Sequence, residues 1–158
     1  MPQGMMSVIK GERMKNNPVF RTTTKILFAP IIVYGLYVQF HGDFGPGGGF
    51  QAGVIIAAAF ILYGIVFGLK DVRTVAPPRF VAMLMAAGVM IYGGVGVASL
   101  ILGGEYLNYS VLAHDMAHGQ HYGILLVELG VGVTVTSVML GLYYAFAGFD
   151  GAGKGEGE

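Results

Sequence analysis

The sequence predicts an all-α integral membrane protein of four transmembrane helices, with both termini on the inner side. Three observations carry that fold class: a shortage of charge, four apolar runs of spanning length, and a one-sided distribution of Lys and Arg. Of 158 residues, 54 % are hydrophobic and 11 % charged, against about 25 % charged in an ordinary soluble domain. So few charges cannot solvate a globular surface, which places the chain in a bilayer.

Crossing about 30 Å of hydrocarbon takes roughly 20 helical residues. Four segments qualify: 22–40, 51–69, 80–102 and 122–147. The last is long enough to tilt or to project beyond the lipid. Strands that cross a bilayer alternate apolar and polar residues, and no such alternation occurs here. The first run is too long for a signal-peptide core and is followed by no small-residue cleavage site, so it is read as retained.

The nine basic residues set the orientation. Lys10, Arg13, Lys15, Arg21 and Lys25 precede or enter the first span, Lys70, Arg73 and Arg79 lie between the second and third, and Lys154 is in the tail. Four spans put all nine on one side, which the positive-inside rule makes cytoplasmic. Residues 1–20 read as a cytoplasmic N-terminal segment, 21–147 as the transmembrane domain and 148–158, ending in "GAGKGEGE", as a flexible tail. The loop "KDVRTVAPPR" reads as a connection, stopped by Pro77 and Pro78. Cysteine is absent, which excludes disulfides, thiolate metal sites and cysteine-held iron–sulfur clusters.

The stretch "HGDFGPGGGFQAG", residues 41–53, concentrates glycine between two apolar runs. It is not a phosphate loop, because Gly48 and Gly53 are followed by Val54 and Ile55 rather than by Lys and a hydroxyl. Nor is it a dinucleotide fingerprint: after Gly45 and Gly47 the third glycine position is Phe50, and no strand precedes it. Within lipid, helices approach through small residues that let backbones touch. Gly49, Gly53 and Ala57 recur every four residues along the second helix, and Gly130, Thr134, Ser137, Gly141 and Ala145 repeat the device on the fourth. Gly47 and Gly48 permit close approach at the membrane surface. Two such faces exceed what one small bundle needs, so they are expected to seat neighbouring subunits. The alternative use of Gly47, Gly48 and Gly49 is to present backbone groups to an ion in a water-filled cavity.

Glu128 is the one acid well inside a span. A charge there costs on the order of 3 kcal/mol on insertion scales, which makes it a functional candidate. It lies six residues beyond Tyr122, about 9 Å along a helix and nearer the outer surface than the midplane. Two roles stand side by side: ion or proton handling, and a polar clamp between helices. His114, His118, His121, Leu125 and Glu128 are spaced four, three, four and three. On a continuous helix they form a stripe from outer water to the carboxylate, able to relay protons or admit a cation. His114 and His118 also have zinc-ligand spacing, but loop histidines are commonly just solvated, and no metal or other cofactor is assigned. Asp43 adds negative charge on the same outward side.

"PGGGFQAG" at the start of the second helix, with "ILLVELGVGVTV" in the last, resembles the B subunit of the multisubunit cation/proton antiporters called Mrp or Mnh. The same subunit type occurs in the membrane arm of archaeal membrane-bound hydrogenases and sulfane reductases. The resemblance covers roughly residues 17–147. It departs from the family pattern where Asp43 and Ala52 replace a histidine and a glycine, while an acid at Glu128 agrees. The resemblance implies an accessory, non-enzymatic subunit of a Na+/H+ antiporter-type complex in the cytoplasmic membrane. Its expected partners are other hydrophobic subunits, Na+ and/or H+, and lipid, with no nucleic acid. The rival is a self-sufficient homodimeric cation exporter, against which the first span holds no acidic residue.

Overall fold

The first helix, α1 (Pro18–Phe40), starts where Asn17 accepts a hydrogen bond from the Val19 N–H at 2.9 Å and Pro18 supplies a preset φ in the first turn. The computed structural model describes residues 17–42, 47–109 and 116–152, the last and first three residues of the final stretch by backbone alone. His114 and Asp43 therefore lie outside the described residues, as does the side chain of His118. After α1 come α2 (Gly49–Phe67), a short α3 (Leu69–Val75), α4 (Pro78–Ile101) and α5 (Met116–Ala152). There is no strand among the described residues.

Four of these helices are long and apolar enough to cross a membrane, and the spans sit within a few residues of the apolar runs in the sequence. Even the best-buried span, α2, has only 39 % of its most apolar 18-residue stretch inside the protein. The remainder turns large side chains outward, among them Met90, Ile101 and Phe146. Surfaces of that kind match lipid tails.

Helix neighbours follow the order α1, α2, α5, α4. A shallow cleft opens between α1 and α4, floored by α2 and α5, with Leu36, Gln39, Leu84 and Thr136 on its walls. Toward the end of the bundle that holds the start of α1 and the end of α2, these two helices are joined by aromatic edges, Phe28 meeting Phe60 at 5.3 Å and Tyr63 at 5.9 Å.

The helix α3 stands where the sequence was read as a plain connection. Gly68, at φ 105°, ends α2 and starts α3, a backbone state that favours glycine. Val72 then provides an anchor: it is fully buried among Ala76, Val81, Leu140 and Tyr144. The Tyr144 hydroxyl donates to the Ala76 carbonyl at 2.7 Å and so ties the loop to α5. A seven-residue segment with one apolar anchor carries little periodic signal, which hides it in the sequence.

The last helix runs 37 residues, about 55 Å, and is continuous through Gly119. Its spanning part covers Gly119–Phe149. The segment before it folds back on the bundle: Tyr106 occupies the space beside Gly96 on α4, and Tyr109 the space beside Gly123 on α5. Burial, with the Tyr92 and Tyr106 phenols close by, raises the Tyr109 phenol above its ordinary value.

Candidate functional site

Glu128 lies on the face of α5 that meets the turn between α1 and α2. Two glycines make its seat. A β-carbon at Gly42 would stand 2.5 Å from one carboxylate oxygen and 2.6 Å from the other. At Gly48 it would stand 3.2 Å from Oε1, and Gly48 also holds φ 119°, which L side chains rarely adopt. Its positive φ is what favours glycine at position 48. The turn is pinned to α1, because the Val38 carbonyl accepts from the N–H groups of Gly48 at 3.2 Å and His41 at 3.3 Å.

Beneath the carboxylate, α2 and α5 touch backbone to backbone. The α-carbon of Gly49 faces the Glu128 carbonyl so closely that a β-carbon would overlap it, and at Gly53 a β-carbon would lie 2.7 Å from the Gly132 carbonyl. Thr136 completes this face, its hydroxyl placed 2.8 Å from the Gly132 carbonyl and 3.2 Å from that of Gly53 across the seam. Glu128, Gly132 and Thr136 thus form an i, i+4, i+8 row against α2. The buried side chain of Gln39, from α1, comes in over Gly132. The turn between α1 and α2 therefore presents the backbones of Gly42 and Gly48 to one carboxylate, with a second polar side chain, Gln39, one turn further along α5.

The opposite face of α5 is equally close to α4. Gly130 meets the Gly88 carbonyl, a β-carbon there falling at 2.9 Å, while Gly88 in turn faces Thr134 and Gly130. These contacts change one reading of the sequence. Gly49, Gly53 and Gly130, expected to seat neighbouring subunits, pack helices of the same chain, and Ala57 is buried within it. The physical reason is the open helix order: α5 contacts both α2 and α4, so it needs two smooth sides for its own fold. Gly47 likewise packs inside the chain, against the Val38 carbonyl. Gly141 is less constrained, since a β-carbon would meet only Met85 at an ordinary 3.7 Å.

The continuous α5 puts His118, His121, Leu125 and Glu128 in helical register. The His121 side chain is exposed and lies beside Tyr122, two turns from Glu128. His41, exposed as well, stacks on Tyr37 at 4.4 Å. No group of three His, Cys, Asp or Glu side chains among the described residues is close enough to hold a metal ion. Sequence reasoning missed Gly42, Gln39, Gly132 and Thr136. Only the spacing of Gly132 and Thr136 from Glu128 could have pointed to them.

Fold and site together define a small polytopic membrane protein built around one intramembrane carboxylate. Residues 19–141 match the family described as a domain related to the MnhB subunit of Na+/H+ antiporter, and the chain belongs to that family. It is 34 % identical over 137 residues to "Putative antiporter subunit mnhB2" of Staphylococcus haemolyticus (strain JCSC1435), an overlap of 85 % of this chain and 96 % of the relative. The proteins of the same name from Staphylococcus aureus are 31 % (strain Newman) and 29 % (strain MRSA252) identical over the same shares. Family and fold make this a multi-pass protein of the cell membrane and an accessory subunit of a multisubunit Na+/H+ antiporter, with other subunits of that antiporter as its partners. The self-sufficient homodimeric exporter is not favoured.

Proposed function

We propose that this subunit lends Glu128 to the cation or proton path of its complex and performs no chemistry of its own. The observation that carries the reading is the glycine seat. The carboxylate lies against the backbones of Gly42 and Gly48, and neither of these residues puts a side chain over it. Gln39 and Thr136 continue the polar row inward. A proton or a dehydrating cation needs such oxygen-rich steps to cross an apolar medium.

Glu128 also seats Gly49 through its backbone carbonyl, so residue 128 holds the fold whatever its side chain does. Glu128→Gln separates the two roles, because it keeps the backbone contact and the shape. In the intact complex reconstituted into vesicles, Glu128→Gln is expected to keep all subunits and lose Na+/H+ exchange, while Glu128→Asp retains part of it. Full exchange by the assembled Glu128→Gln complex would remove the carboxylate from the path.

The inner placement of both termini belongs to the same proposal. Its support is that Arg21, Lys25 and Arg73 gather at one end of the bundle, against Phe67 and Tyr144. A chain without native cysteine makes the test direct. A single cysteine at Glu105 should react with an impermeant maleimide from outside intact cells, and one at Lys154 should not.

A further inference from the structure

We infer that the inner end of the bundle holds a pocket for the phosphate of an anionic membrane lipid. A cavity of about 590 Å³ lies where α2 passes into α3, opposite the end of α5, walled by Phe67, Leu69, Lys70, Arg73 and Gly148. That volume suits a headgroup with its glycerol, since small-molecule sites run from about 300 to 1,000 Å³.

The charge lining the pocket is net positive. Lys70 and Arg73 line it, and Arg21 and Lys25 lie over the ring of Phe67, at 4.9 and 5.7 Å. The carboxylate among the lining residues is Asp71. Arg73 is oriented twice: its guanidinium sits 5.6 Å over the Tyr144 ring, and Nη2 comes within 3.3 Å of where a β-carbon on Gly148 would stand. Glycine at 148 keeps that space open. A planar guanidinium beside an ammonium is the combination that grips a phosphate.

A lipid rather than a soluble anion is the occupant because of what adjoins the pocket. Ile65 on α2 and Phe146 and Phe149 on α5 are exposed and apolar, and Phe149 is 84 % accessible. Acyl chains descending from the phosphate meet that surface at once. Basic pockets at the cytoplasmic boundary of a bundle bind anionic headgroups by this arrangement. The inference rests on insertion in the membrane, and stands or falls independently of Glu128.

The test titrates the intact complex, purified in mild detergent and stripped of endogenous lipid, with phosphatidylglycerol and counts bound lipid by native mass spectrometry. Lys70→Gln and Arg73→Gln are each expected to weaken binding about fivefold. Asp71→Asn should strengthen it by a similar factor, a readout that survives if Arg73→Gln fails to assemble. Arg79→Gln, outside the pocket lining, should leave binding unchanged, and phosphatidylcholine should not distinguish wild type from the variants. Equal phosphatidylglycerol binding by wild type and all the pocket variants would overturn the inference. So would its displacement by inorganic phosphate at equal concentration, which would make the ligand a free anion. Crosslinking of Arg73 to an acidic segment of a neighbouring subunit would overturn it too, by giving the pocket to a protein.

Discussion

The two ends of this bundle are held by different means. At the glycine-turn end, α2 and α5 meet through Gly49, Gly53 and Gly132, with a carboxylate wedged against Gly42 and Gly48. At the basic end, the contacts are made by side chains: Val72, Val81, Leu140 and Tyr144 form a cluster, the Tyr144 hydroxyl donates to the Ala76 carbonyl, and cations lie over aromatic rings. Side chains can repack when one changes, but a backbone carbonyl against an α-carbon has nowhere to move. The first end should therefore be intolerant of small changes, and the second forgiving.

The sharpest way to break that contrast is Gly49→Ala, which puts a methyl group onto the Glu128 carbonyl. A loss of about 3 kcal/mol is expected, read from unfolding in mixed micelles, and Gly49→Leu should abolish folding altogether. Gly93→Ala, with no atom within 4 Å of the added carbon, is the matched control and should stay within about 0.5 kcal/mol of wild type. Equal behaviour of Gly49→Ala and Gly93→Ala would mean that the seam is looser than it looks. At the other end, Tyr144→Phe removes the hydrogen bond to the Ala76 carbonyl, with the longer one to the Val72 carbonyl, and should cost about 1 kcal/mol in the same assay.

The smallest effect concerns the folded-back segment that carries Tyr106 and Tyr109. Because the Tyr109 phenol is raised on folding, the folded state holds its proton longer than the unfolded chain does. Its contribution is whole below the ordinary tyrosine value of about 10 and is lost as pH rises through the folded value. Stability should therefore decline more steeply above pH 10 in wild type than in Tyr109→Phe, measured by the same unfolding titration at stepped pH.

Much of this was legible beforehand. Four spans could be drawn from length and hydropathy because lipid imposes one requirement on every exposed residue, and the helix ends agree to within a few positions. Glu128 was conspicuous because an acid in an apolar run is costly. Its seat was hidden. Gly42 and Gln39 lie at the end of α1, and nothing in their local sequence says that the following turn folds them over α5. Gly130 and Gly132 differ by two positions, yet one serves α4 and the other α2.

By itself, the sequence determined the medium and the number of crossings, since these depend on summed composition and on spacing along the chain. Which small residues face which helix was decided only by the tertiary structure. A helix bearing glycine on two sides can seat a partner on either, and the order α1, α2, α5, α4 assigns those sides within the chain itself. That assignment turns a lone carboxylate into a seated one, because it brings Gly42 and Gly48 to residue 128 from 86 and 80 positions away.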